Sequence, residues 1–216
     1  MKNALQGVLI VGGLLMAGCA PSMSSDMTGM RMGSGMMGMS MDRLSVAQPA
    51  AGVGANGLML SSPQFSDGGT LAAEQVGSGN GCTGQNVSPA LSWSGAPAGT
   101  VSYVLTTYDP DAPTGSGFWH WVTYNIPASA TGLEKGAGSG GVAPPAGTVL
   151  SNNDGGQSGY TGPCPPPGDK PHRYVFTLYA LNKTLTLPPN ASPAYVGFNL
   201  NGATLAKTSI SGYYGR

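Results

Sequence analysis

The chain has 216 residues, of which 36 are glycine and 18 proline. A quarter of the chain therefore breaks regular backbone, which excludes a helical bundle or coiled coil. Nine basic and nine acidic residues give zero formal net charge, so no cationic excess exists to neutralise nucleic-acid phosphates, while nine Tyr, three Trp and four Phe argue against wholesale disorder.

In chain order, Lys2 is followed by an apolar stretch from Ala4 to Gly18, and the next charge is Asp26. The stretch is short for a bilayer span, and with its basic start and small-residue end it reads as an export signal. Met16-Ala17-Gly18-Cys19 looks like a bacterial lipobox, with Met16 where Leu is usual. Residues 1–18 are thus expected to be a lipoprotein-type signal peptide and Cys19 a lipidated N-terminus; a plainly secreted protein is the alternative. Ala20, rather than Asp, after the cysteine resembles lipoproteins of the Gram-negative outer membrane. The expected location is the bacterial envelope, lipid-anchored on the outer membrane and facing the periplasm. A two-chain anchor holds stably.

Residues 19–56 read as the lipidated cysteine followed by a Met/Gly/Ser-rich flexible tether. Eight of the eleven methionines fall between Met23 and Met41. As random coil this segment would reach on the order of 30 Å. A second reading makes it a soft-metal ligand, because the thioethers of Met27, Met30, Met32, Met36, Met37, Met39 and Met41 could wrap Cu(I).

From Gly57 the chain becomes short β-rich runs punctuated by Gly, Pro, Asn and Ser, the pattern of an antiparallel sandwich or barrel. The predicted strands are Leu58–Ser61, Leu91–Ser94, Val101–Tyr108, Gly117–Ile126, His172–Leu181 and Thr184–Leu187. One helix is predicted within Ala191–Lys207, broken by Gly197 and Gly202. Between Gly136 and Gly162 lies a long irregular run of the kind that often carries function. Alternation places Phe118, His120, Val122 and Tyr124 on one strand face, with Trp119, Trp121 and Thr123 on the other. It likewise groups His172, Tyr174, Phe176 and Leu178.

Beyond Cys19, the chain has Cys82 and Cys164, both in Gly/Pro-rich loops. The export signal places them where disulfides persist, so a Cys82–Cys164 bridge is expected, against two free thiols. Three G-x-G-x-x-G matches start at Gly33, Gly79 and Gly136, but none sits between a strand and a helix. No Walker A sequence, G-x-S-x-G elbow or C-x-x-C is present, which weakens NTPase, hydrolase and redox readings. What remains is a chain with only two histidines, His120 and His172, and a proline-stiffened pair of carboxylates in Asp109-Pro110-Asp111-Ala112-Pro113.

Five ordered motifs carry a resemblance. They are Asn86-Val87-Ser88-Pro89; Asp109-Pro110-Asp111-Ala112-Pro113; Phe118-Trp119-His120-Trp121 with Tyr124-Asn125-Ile126-Pro127; Gly159-Tyr160-Thr161-Gly162-Pro163; and His172-Arg173-Tyr174-Val175-Phe176. Together they resemble the phosphatidylethanolamine-binding protein family, and more closely its bacterial, Raf kinase inhibitor-like branch. The resemblance runs from about Leu58 to Arg216. It implies an all-β domain over residues 57–216: a two-sheet antiparallel β-sandwich with large loops, a short C-terminal helix and one small cavity for anionic, phosphate-like groups.

Carried over by position, the pocket would comprise Asp109, Asp111, His120, Gly162, Pro163, His172 and Tyr174, with Tyr213 or Tyr214 as a further candidate. Gly202-Ala203-Thr204-Leu205-Ala206 departs from the Gly-His before Leu-Ala of bacterial relatives, removing a polar group there. The implied role is a non-enzymatic lipoprotein that binds a phosphate-like or phospholipid-headgroup ligand, with no cofactor and no nucleic-acid partner. A histidine beside a carboxylate is expected to be held protonated, with backbone N–H groups near Gly162 adding anion contacts. Two alternatives stand: a copper-handling lipoprotein working through the Met tract, and a hydrolase or metal-dependent enzyme at the Asp/His cluster. Inhibition of a kinase does not transfer, because an exported protein would not meet cytoplasmic kinases.

Overall fold

The structure is a computed structural model that describes residues 56–216. The signal peptide, Cys19 and the methionine tract lie outside the described residues. Ten elements follow in order: β1 (Met59–Ser61), β2 (Gly69–Thr70), β3 (Leu91–Ser94), β4 (Ser102–Asp109), β5 (Phe118–Pro127), β6 (Gly132–Leu133), β7 (Val149–Leu150), β8 (His172–Leu181), α1 (Pro193–Leu200) and β9 (Thr204–Tyr214). Most of the regular structure is strand, with one short helix.

Two sheets form. The larger has the order β2-β9-β8-β4-β5-β7 and the smaller β1-β3-β6. β4 lies at the centre of the larger sheet and is buried along its whole length, as its two-sided apolar sequence requires. Its even-numbered Val104 faces one core with Val122, Tyr124, Tyr179, Leu181 and the α1 residues Val196 and Leu200. Tyr103 and Leu105 face the other, with Trp121, Tyr174, Phe176 and Leu178 and with Leu60, Leu91, Trp93 and Leu133 of the smaller sheet. Helix and small sheet thus cover opposite faces of the large one.

This corrects the expected architecture. The larger sheet is mixed, because β2 pairs parallel to β9 in the register Gly69↔Gly212 and Thr70↔Tyr213. The second sheet consists of three strands of two to four residues, set against four central strands of eight to eleven that two-residue strands flank at each edge. It is not an even partner in a purely antiparallel two-sheet sandwich.

Other departures are local. Helix α1 starts where Ser192 caps it, its side chain accepting the Tyr195 N–H at 3.2 Å, with Pro193 in the first turn. It ends before Gly202, whose φ of 70° closes the helix, so the residues from Thr204 belong to β9 rather than to the expected helix. The Ala-Thr-Leu-Ala run is helix-permissive, but pairing with β8 decides its state. Thr184–Leu187 forms no strand. Its backbone is held instead by Asn125, whose side chain donates to the Leu185 carbonyl at 2.9 Å and accepts the Leu185 N–H at 2.7 Å.

Two irregularities in the β4–β5 pairing reorient side chains. Between Tyr103↔Ile126 and Leu105↔Thr123, β5 has one more residue than β4, and Asn125 there takes φ 56°. Between Thr107↔Trp121 and Tyr108↔Trp119 the extra residue is His120. A bulge leaves the inserted residue unpaired and resets the alternation.

Candidate functional site

The His120 bulge builds the site. Strict alternation puts His120 on the Val122 face, but Val122 packs in the helix-side core while the His120 ring lies 5.1 Å from that of Tyr174, a residue of the opposite core. β4 delivers Asp109 at its end, and β8 delivers His172 and Tyr174 from neighbouring rungs. These four side chains are buried and line a cavity of about 240 Å³ on the face of the large sheet opposite α1. Phe118, 4.8 Å from the His120 ring, forms part of its wall.

The hydrogen bonds define what each group can still do. Asp109 is engaged twice: one oxygen accepts the Asp111 N–H at 2.8 Å and the other the Nδ1 of His172 at 2.8 Å. Burial pushes its carboxyl upward, opposed by the His172 bond. The second ring nitrogen of His172 is 3.5 Å from Asp169. His120 Nδ1 lies 2.8 Å from the Thr161 carbonyl, which can only accept, so that nitrogen carries the proton. The neutral ring then presents Nε2 as an acceptor, 4.0 Å from Asp109 and beyond hydrogen-bond range. The Tyr174 hydroxyl is buried and makes no hydrogen bond of ordinary geometry, but it lies beside the Asp109 carboxylate, toward which it can donate. Burial and the nearby Asp109 push its phenol upward, so it remains a donor.

Two expectations change here. His120 is not held protonated: burial drives its pKa down to about 4, outweighing the Thr161 bond that favours the charged form. Nor is the Gly162 N–H free for an anion, because it donates to Asn86 Oδ1 at 2.7 Å. Pro163, Pro165 and Pro166 have no N–H to offer.

Of the seven expected pocket residues, Asp109, His120, Gly162, His172 and Tyr174 line the cavity. Asp111 and Pro163 do not. The Asp111 carboxylate accepts the Arg173 N–H at 2.9 Å and so ties the Pro turn to β8. The Pro163 carbonyl accepts the Gly77 N–H at 2.9 Å, behind the wall. Tyr213 and Tyr214 border a separate open cleft with Asp169 and Arg216. Sequence reasoning missed Asn80, Thr114, Pro165 and Pro166 in the lining. Nothing local marks Asn80. It is brought in by the Cys82–Cys164 disulfide and by Arg216, whose guanidinium donates to the carbonyls of Gly81 at 2.7 Å, Asn80 at 3.3 Å and Pro165 at 2.7 Å.

Among the described residues no group of three or more His, Cys, Asp or Glu could hold a metal ion. The methionines of the copper reading lie outside the described residues.

A mostly-β domain with one short helix and a buried Asp/His/Tyr cavity defines a small-ligand binding fold. The chain belongs to the phosphatidylethanolamine-binding protein family, whose model matches residues 61–215. It is 48% identical over 158 residues to the UPF0098 protein YbcL of Escherichia coli K12, covering 72% of this chain and 86% of that one. The crystal structure of E. coli YbcL, described as a member of the mammalian PEBP family, superposes with a TM-score of 0.72 at 45% identity, covering 74% of this chain and 99% of that one. LppC of Mycobacterium tuberculosis H37Rv, which bears a lipoprotein name, is 41% identical over 136 residues, covering 62% of this chain and 61% of that protein.

Proposed function

We propose that this protein is a non-enzymatic envelope lipoprotein whose domain, residues 57–216, binds a small phospho-ligand in the Asp109/His120/His172/Tyr174 cavity. Residues 1–18 act as the signal peptide, Cys19 carries the lipid anchor, and residues up to 56 form the tether. The anchor reading draws on the lipobox and on the similarity to LppC.

One observation carries the binding reading: His120 Nε2 is left as an acceptor, and the Tyr174 hydroxyl, with only the neighbouring Asp109 carboxylate to turn to, can donate into the same cavity. One group donates and the other accepts. That pair fits a phosphate monoanion, with a P–O oxygen accepting from Tyr174 and a P–OH donating to His120. The ligand then supplies the proton that the sequence had assigned to histidine. Affinity falls as pH rises through the second phosphate pKa near about 6, because the dianion has no P–OH left to donate.

Calorimetry with phosphoethanolamine tests this. Binding that weakens between about pH 5.5 and about pH 7.5 supports the reading. Glycerophosphoethanolamine, a diester without that titration, should show no such step and bind more weakly. Equal affinity for monoester and diester at both pH values would shift the ligand class to intact headgroups; no binding of either would remove the phospho-ligand reading.

A further inference from the structure

Helix α1 buries Pro193, Val196 and Leu200 against the large sheet and leaves a second face outward. On that face Phe198 is 72% exposed and Tyr195, three residues earlier and therefore one turn away, is 47% exposed. Phe198 is the most exposed large hydrophobic side chain among the described residues. Neither aromatic has any part in the cavity.

The surroundings indicate what covers this pair. From Thr184 to Ala206 the chain has no charged residue, and lysines bracket the segment at Lys183 and Lys207. An exposed Phe and Tyr pair on a segment without charged residues, with the exposed Lys183 just before it, suits the interface of a bilayer, where aromatic rings sit at headgroup level and a lysine can reach phosphate. No described helix is long and apolar enough to cross a membrane, so the contact is one of lying on the surface.

The start of the described chain points the same way. Asn56, the first described residue, donates from its side chain to the Leu205 carbonyl at 3.3 Å, and Thr204 donates to Leu200 at the end of α1 at 2.9 Å. The described chain therefore begins beside the end of this helix.

We propose that the Tyr195/Phe198 face of α1 is a membrane-surface docking site, which seats the anchored domain on the bilayer helix-side down. This rests on the lipid-anchor reading for its geometry. Its consequence for the cavity follows from the sheet. α1 covers one face, and His120 and Tyr174 project from the other. In addition, Ser102, Leu181 and Thr204 pair at one end of the strands, and Asp109 and His172 lie at the other, about 23 Å away along β4. A domain docked through α1 opens its cavity away from the bilayer, toward ligands carried in water.

The test uses the full chain, purified from its envelope and reconstituted into vesicles of phosphatidylethanolamine with a quarter phosphatidylglycerol. In one variant, Phe198→Trp, emission of the introduced indole should shift to the blue and be quenched by lipids with brominated acyl chains. In a second, Lys170→Trp on the exposed loop at the cavity end, it should be unquenched. Phe198→Ser with Tyr195→Ser, both at exposed positions, should leave the melting midpoint unchanged and weaken vesicle binding of the unlipidated chain roughly tenfold. An unquenched indole at position 198, or unchanged vesicle binding, overturns the proposal, as does concentration-dependent dimerisation lost in the double variant. Mass analysis of Cys19 separates the two readings: lipidation with an unquenched helix leaves the anchor standing and removes docking, and quenching without lipidation does the reverse.

Discussion

His120 and Tyr174 are the residues whose chemistry the structure redefines. A buried imidazole with a pKa near 4 should show no NMR titration between about pH 8 and pH 5.5, and a midpoint above 6 would refute its neutral assignment. The same depression has a sign for stability. The unfolded histidine protonates near 6.5 and the folded one only near 4, so stability is lost as pH falls between those values and is level below them, by at most about 3 kcal/mol. Asp109, pushed up by burial, acts in the opposite sense and offsets part of that loss. Tyr174→Phe removes a hydroxyl whose only near partner is the Asp109 carboxylate, so the free protein should change in stability by less than about 1 kcal/mol. Affinity for phosphoethanolamine should nonetheless drop about tenfold. A variant that loses stability and affinity together would instead place that hydroxyl in the packing.

At the scale of elements, the cavity wall is made by close approaches between loops. Gly162 lies where a Cβ would overlap the Gln75 carbonyl and the Gly77 nitrogen, so the loop through Thr161 can sit against the 75–77 segment only with hydrogen at that position. Gly162→Ala should destabilise by roughly 1–3 kcal/mol in denaturant titration, and it should weaken ligand binding through displacement of the wall rather than loss of a contact. The motifs around it were legible as words but not as roles. Asn86, legible only as the start of a motif, holds the Gly162 N–H, and Asp111, expected as a second pocket carboxylate, braces the Arg173 N–H. Each role depends on a partner more than sixty residues away.

Across the whole molecule, the Cys82–Cys164 bridge closes a loop of 82 residues in sequence separation and joins two loops at the cavity rim. Chain-entropy arguments value such a closure at about 4 kcal/mol. Reduction should therefore lower the melting midpoint and also weaken phospho-ligand binding, since Asn80 and Cys164 both border the cavity. If reduction changes stability alone, Arg216 is enough to hold the rim. At the other end of the chain, mass spectrometry of the exported protein should find Cys19 modified by a diacylglyceryl group, and Cys19→Ser should abolish that mass.

Five ordered motifs were enough for the family, and the long strands β4, β5 and β8 were legible because strand alternation and turn chemistry are local and written in adjacent residues; the same motifs pointed to the two histidines and the Asp-Pro turn as a candidate site. The sequence could not determine β9 or the end of the helix, since Thr204–Lys207 takes its state from β8 rather than from its own propensity. The resemblance already put His120 in the pocket, but strand alternation alone did not, and the tertiary structure supplies the reason: a single unpaired residue in β5 reverses the alternation. Only the tertiary structure decided that this histidine is neutral: a neighbouring carboxylate is visible in sequence, whereas the desolvation that outweighs it exists only once both faces of the sheet are covered.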